Sequence, residues 1–352
     1  MSPEPHGAHS ADGSALSADL AGKRIGWVPF SREKRVPSAR LRSLLPVEAL
    51  RRVGVDASIV PREHAGAFDC VVFQKAYRPD HYEYAERLAD QGVKLVFDLC
   101  DEHFYNPDGN PELAERAQRL RAMIDLVDVV SVSVPTLADV VQRPRVHVVD
   151  DALEETRVSA PARWLARRRR SNGRLRLVWF GHAGTEHTPA GIPHLGALVP
   201  ELERLDRVRP IQLTVISDSE AMFDRHVKGA SFPTRYVRWT ERGFGRRVVG
   251  SDVCVLPIQV NPYTVQKTNN RVRTALLLGV PVVTTEIPSY REFAEWIAFD
   301  DWTANILRIA DDPERARADV DAACAYIRAT YTPERLVSQW GAVLRDALTS
   351  SS

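Results

Sequence analysis

The sequence contains no run of roughly 18 consecutive apolar residues, so it offers no transmembrane helix. It also lacks an excess of either charge. Its 47 Lys and Arg stand against 46 Asp and Glu, a formal net charge of +1. That balance argues against a chain whose main task is coating nucleic acid or an anionic membrane. Lysine is scarce, at six positions; a GC-rich bacterial coding bias explains the preference for arginine without any function. Cys70, Cys100, Cys254 and Cys324 form no C-x-x-C pair. The first three lie within or at the end of apolar, strand-like runs, as buried reduced thiols of a cytoplasmic protein would. Residues 1–20 lack the apolar core and cleavage site of a signal peptide. Small and polar, they read as a disordered leader.

What is present is ordinary for a soluble globular protein: 352 residues, 44% hydrophobic and 26% charged, long enough for two domains. Short β-rich runs alternate with longer helical patterns, the signature of βαβ units and parallel sheets. Strands are expected at 24–29, 57–60, 70–74, 94–99, 129–132 and 146–149, with helices at 39–53, 81–91, 111–124 and 135–142. A break at 154–172 carries the run Arg167–Arg170 and reads as a linker; the arginines either end a solvated helix or bind phosphate. The pattern then restarts, with strands at 175–180, 212–216, 234–238, 253–257 and 282–284. Helices are expected at 191–205, 219–225, 243–249, 270–278, 290–295, 302–310, 313–331 and 333–348. The expected organisation is an α/β chain with domains at 21–155 and 174–332 joined by 156–173. Ligands in such sheets bind at the carboxyl ends of the strands, so the residues just after each strand are the ones to inspect.

The most informative stretch begins with a buried strand, Val253–Pro257. A polar loop then leads to Lys267-Thr268-Asn269-Asn270-Arg271, and a helix is stopped by Gly279-Val280-Pro281 before another apolar strand. A helix start offers backbone N–H groups and a positive dipole end. Lys267 and Arg271 beside it suit a diphosphate, since a guanidinium grips two oxygens at once. Without an anion these cations would oppose the dipole.

The order of these motifs resembles the donor half of GT-B glycosyltransferases, in particular the retaining branch related to glycosyltransferase family four. The resemblance covers about residues 175–348 by motif and the first half by pattern. It implies two Rossmann-like domains whose parallel sheets face a central cleft, and a first domain closed by the helix 333–348. It further implies transfer of a hexosyl or related group from a nucleoside diphosphate sugar, the co-substrate, to a hydroxyl acceptor, with retention and with neither metal nor cofactor. The carboxylate that holds ribose in that family falls at Thr274, and its basic pair after the first strand is replaced by Gly181-His182-Ala183-Gly184. Gly181 and His182 are then candidate phosphate contacts. Ser217, Asp218, Trp239 and Thr240 lie where the family contacts base and ribose, with Asn270 on the donor helix and Glu292 where a sugar-facing acid would sit. Asp218 as a helix N-cap is the alternative.

On the acceptor side, the loop after 24–29 and the following helix supply Arg32, Lys34, Arg40 and Arg42, a basic lining that hints at an anionic acceptor. Phe97-Asp98-Leu99-Cys100-Asp101-Glu102-His103 places three acids and a histidine after an apolar strand, an expensive arrangement unless they have a role. Asp101 and His103 are the candidates to touch sugar or acceptor, Asp98 a structural carboxylate. Two other readings are a nucleotide-sugar-binding protein without turnover and an NAD-dependent oxidoreductase. The absence of G-x-G-x-x-G after either first strand weighs against the latter.

Overall fold

In a computed structural model, residues 20–34, 36–60, 68–154, 156, 158–168, 173–184, 190–241, 243–350 are described. They divide into two compact units, one of residues 1–153 with 330–352 and one of residues 154–329.

The first unit is a six-stranded parallel sheet of β1 (Arg24–Pro29), β2 (Asp56–Ile59), β3 (Cys70–Gln74), β4 (Lys94–Leu99), β5 (Val129–Val132) and β6 (Val146–Val148), in the order β2-β1-β3-β4-β5-β6. All its ladders are parallel. A parallel strand covered by helices on both faces is apolar on both, which is why Cys70-Val71-Val72-Phe73 is an unbroken apolar run and wholly buried. One face of this core takes Tyr84, Leu88, Leu120 and Met123 from the helices Pro79–Asp90 and Pro111–Leu126. The other face takes Trp340, Val343 and Leu344 from the last helix, Pro333–Thr349, and Trp340 meets Trp27 edge-on at 5.2 Å. Asn110 caps Pro111–Leu126 by accepting from the Glu112 and Leu113 amides, and Thr332 caps the last helix through the Arg335 amide.

The second unit repeats the plan. Its strands are β7 (Leu175–Phe180), β8 (Ile211–Ser217), β9 (Thr234–Arg238), β10 (Val253–Leu256), β11 (Val282–Thr284) and β12 (Ala298–Phe299), ordered β12-β11-β10-β7-β8-β9 and all parallel. Counted from β7, this is the doubly wound order of dinucleotide-binding folds.

Two expectations change. The segment read as a linker contains the helix Ala160–Arg168, and its Arg163 donates to the Leu278 carbonyl at 3.3 Å. Arg169 and Arg170 of the arginine run lie outside the described residues. The helix expected at 39–53 opens with a short α-helical turn, Pro37–Ala39, and passes through a π-helical stretch, Arg40–Leu44, into the α-helix Leu45–Arg52. All four cysteines are free and buried, and burial pushes the Cys70, Cys100 and Cys254 thiols up, away from the reactive thiolate. Among the described residues no helix is long and apolar enough to cross a membrane.

Candidate functional site

Each sheet has one point where successive connections leave in opposite directions, and the loops there part to leave a crevice at the strands' carboxyl ends. In the second unit it lies between β7 and β10. Gly181 follows β7 directly, held by its amide to the Ile216 carbonyl (3.1 Å) and by its own carbonyl, which accepts from Ser217 Oγ (2.8 Å). The loop after β10 ends in the helix Asn270–Leu277, whose second residue is Arg271. A Cβ built on Gly181 would stand 3.4 Å from Arg271 Nη1, so the guanidinium lies against the Gly181 backbone. Arg271 is half-buried, and among the described residues its side chain has no hydrogen-bond or ion-pair partner.

The other parts of this helix start are arranged around it. Asn269 precedes the helix but makes no side-chain cap, donating instead to Glu292 Oε2 at 2.9 Å, so the first-turn N–H groups receive no oxygen from it. Lys267 Nζ lies 2.8 Å from the Tyr263 hydroxyl and 4.0 Å from the centre of its ring, a cation held over an aromatic face. Ser289 Oγ donates to the Lys267 carbonyl at 2.5 Å, tying this loop to the 3₁₀ turn Pro288–Phe293. Both Glu292 oxygens take protein donors, since Oε1 accepts from the Tyr326 hydroxyl at 3.0 Å. Thr274 Oγ1 donates to the Asn270 carbonyl at 2.7 Å, directing its proton into its own helix. Asn270 Oδ1 accepts from Arg273, a buried arginine of the same helix that the sequence reading passed over.

Beside this point the tips of β7, β8 and β9 are laced together. Asp218 accepts the Ala183 amide at 2.8 Å and pairs with His182 Nε2 at 3.0 Å, while His182 Nδ1 accepts the Gly184 amide at 3.1 Å. His182 is therefore a latch that shapes the glycine loop as well as an exposed imidazole. The N-cap of the helix Glu220–His226 is Ser219 and not Asp218. Ser217 corrects an expectation: it is fully buried, and its hydroxyl is spent on the Gly181 carbonyl and Asp218, so it joins two strands and does not reach a ligand. The Trp239 amide donates to the Ser217 carbonyl at 2.8 Å, and the Trp239 ring adjoins Phe244 at 6.5 Å. Thr240 is exposed, its hydroxyl accepting the Gly243 amide.

In the first unit the reversal lies between β1 and β3. After β1 comes Phe30, 44% exposed, with the Arg78 guanidinium 5.5 Å from its ring centre. After β3 comes Lys75, whose backbone is left-handed at φ 50°, a conformation that costs a non-glycine residue about 1–3 kcal/mol and gathers at functional sites. Lys75 Nζ pairs with Asp101 Oδ2 at 2.5 Å, and the Tyr77 hydroxyl meets His103 Nδ1 at 2.6 Å. Asp101 and His103, both expected from the sequence, thus meet Lys75 and Tyr77, which were not. Lys75 follows its apolar strand as closely as Asp101 does, but its pairing with Asp101, like that of Tyr77 with His103, joins residues 26 apart in the chain. Glu102 turns inward to accept the Phe104 amide, and its burial pushes its carboxyl up.

The basic lining divides. Lys34 is exposed, Arg32 donates to the Val60 carbonyl, and Arg40 donates to the Lys34 carbonyl, so two of these cations brace the loop. Arg42 is a correction. It is 1% exposed and belongs to no acceptor surface. Its guanidinium binds Asp98 through Nη2 and through Nε (3.1 Å), Asp151 at 3.3 Å, and the Val149 carbonyl. Burial would by itself push Arg42 down; the Asp98 and Asp151 carboxylates outweigh it and push it up. Ser131 Oγ completes the set by donating to Asp98 at 2.7 Å. Among the described residues no group of three or more His, Cys, Asp or Glu is placed to hold a metal ion.

No protein-family model matches the sequence, and no curated protein does. Solved structures do match. TarM aligns with a TM-score of 0.58 at 9% identity over 80% of this chain, which spans 55% of TarM. A glycosyltransferase from Rickettsia africae aligns at 0.64 and 10% identity over 94% of this chain and 100% of its own. The alpha,alpha-trehalose 6-phosphate synthase of Burkholderia multivorans aligns at 0.56 and 13% identity, covering 92% and 96%. At such identities the likeness is one of fold: two six-stranded parallel sheets with interleaved helices, as in GT-B glycosyltransferases.

Proposed function

We propose that this chain is a glycosyltransferase that moves a sugar from a nucleoside diphosphate sugar to a hydroxyl acceptor, with retention and without a metal ion. The observation that carries the reading is Arg271. A half-buried guanidinium beside a glycine backbone, at the switch point of a doubly wound sheet and the start of an uncapped helix, has no partner among the described residues. Burying such a charge is costly unless an anion meets it. A diphosphate supplies that anion and fits both the guanidinium and the first-turn N–H groups. The GT-B fold supports the choice of anion, and the S. aureus TarM and pneumococcal GtfA structures include complexes with UDP.

In this reading the bond from the sugar C1 to the diphosphate oxygen breaks while a bond from C1 to the acceptor oxygen forms. The acceptor proton passes to the departing phosphate. Arg271, Lys267 and the helix N–H groups bind the charge that grows on the diphosphate, which lowers the barrier electrostatically. Lys267 moves from the Tyr263 ring to a phosphate oxygen. Asp101 and His103 orient a hydroxyl. The altered ribose grip at Thr274 favours a second reading, a nucleotide-sugar binder without turnover.

A thermal-shift panel of UDP, GDP, TDP, ADP and NAD, followed by donor-turnover assays, tests both. Stabilisation by a nucleoside diphosphate with release of sugar is the expected result. Stabilisation by NAD alone would overturn the proposal. Diphosphate binding without turnover across a broad acceptor set selects the second reading.

A further inference from the structure

A cavity of about 350 Å³ opens at the amino ends of β11 and β12, where they meet the helices Trp302–Asp311 and Pro313–Thr330. The crevice beside Arg271 lies at the carboxyl ends of the strands, so the two are at opposite ends of one parallel sheet. Small-ligand pockets span roughly 300–1,000 Å³ and combine an apolar lining with a few placed polar groups.

This cavity has both parts. Val282, Ile309 and Ala316, all buried, supply apolar lining. Trp296 is half-buried beside them, its ring set against Tyr326 at 5.1 Å between centres. Four charges, two of each sign, complete the lining: Arg308, Asp312, Arg315 and Asp319. The protein answers them only loosely. Arg308 has no carboxylate partner among the described residues, and its hydrogen bond to Asn305 Oδ1 is stretched to 3.5 Å. Arg315 Nε and Asp319 Oδ2 stand 3.9 Å apart, longer than a hydrogen bond. Asp312 Oδ1 accepts the Arg315 amide at 3.0 Å, and its other oxygen has no partner among the described residues.

Such a lining selects by charge. An apolar molecule with one anionic group would set that group beside two carboxylates, and one with a single cation would meet two guanidiniums. A neutral apolar molecule would strip water from all four charges and answer none. A zwitterion answers both signs, a guanidinium gripping its carboxylate and a carboxylate its ammonium. The indole adds a preference for an aromatic ring, which packs on it offset or edge-on.

We infer that this cavity is a second binding site, for a free α-amino acid with an aromatic side chain. The ring lies against Trp296 and the apolar lining, the carboxylate meets Arg308 and Arg315, and the ammonium meets Asp312 and Asp319. The site shares no residue with the crevice around Arg271 and does not depend on the glycosyl-transfer reading.

The test is calorimetric titration of the full chain with L-phenylalanine and L-tryptophan, and with three analogues that each lack one part. Hydrocinnamate keeps the ring and the anion, phenethylamine the ring and the cation, and glycine both charges without a ring. At least one of the two aromatic amino acids should bind saturably, and each analogue about 10-fold or more weakly. Arg308→Gln, at an exposed position, and Asp319→Asn should each weaken the amino acid by a similar factor and leave thermal unfolding unchanged. UDP should leave the amino acid affinity as it is. Absence of binding by both amino acids, an analogue that binds as tightly, full affinity in either variant, or displacement by UDP overturns the inference. Amino acid binding in a protein that transfers no sugar upholds the site and counts against the glycosyl-transfer reading alone.

Discussion

Arg42 and Arg271 are both arginines near the carboxyl ends of parallel strands, and both were read from the sequence as ligand contacts. Arg42 is buried among Asp98, Asp151 and the Val149 carbonyl, so its positive charge is fully answered within the protein. Arg271 lies beside Gly181 with no such answer among the described residues. The residue type is the same, and the local supply of carboxylates decides its role. One holds the fold of the first unit; the other, in the proposed reading, receives an anion.

Substitutions that remove one side of this contrast should separate stability from binding. The largest effect belongs to Arg42→Met, which leaves Asp98 and Asp151 buried without a counter-charge. Urea unfolding should show a loss of about 3–5 kcal/mol, and a loss below about 1 kcal/mol would place Arg42 at the surface after all. Asp98→Asn keeps Asp151 as a partner and should cost less, about 1.5–3 kcal/mol by the same measurement. Lys267→Ala should leave unfolding within about 0.5 kcal/mol. It should weaken nucleoside diphosphate binding by about 1.5–2 kcal/mol, read by calorimetry; unchanged affinity would mean that Lys267 stays on Tyr263. The smallest effect is that of Gly181→Ala. Its methyl would lie 3.3–3.4 Å from Trp179 and Arg271 and displace the guanidinium slightly. Affinity should fall by under about 1 kcal/mol, and a gain would show that the guanidinium does not need the Gly181 backbone.

The two arginines also mark how far the sequence can be read. Strands such as Val71–Phe73 and Val253–Leu256 are legible because a strand covered on both faces is an uninterrupted apolar run. β12 was missed because two residues carry no period, and the helix Ala160–Arg168 because its polar neighbours mask it. Arg271 is legible as a cation at a helix start, since that feature is local. Arg42 is not, because the carboxylates that neutralise it are 56 and 109 residues away. Lys75 and Tyr77 were hidden for the same reason. Their meaning comes from Asp101 and His103, each 26 residues on, and appears only when β3 and β4 pair.

The most direct test of the diphosphate assignment is calorimetric titration of the wild type and Arg271→Ala with UDP, GDP, TDP and ADP, alongside unfolding of both proteins. The account predicts that the wild type binds at least one of the four and that Arg271→Ala binds it about 10- to 150-fold more weakly, with unchanged stability. Equal affinity in the two proteins would contradict it.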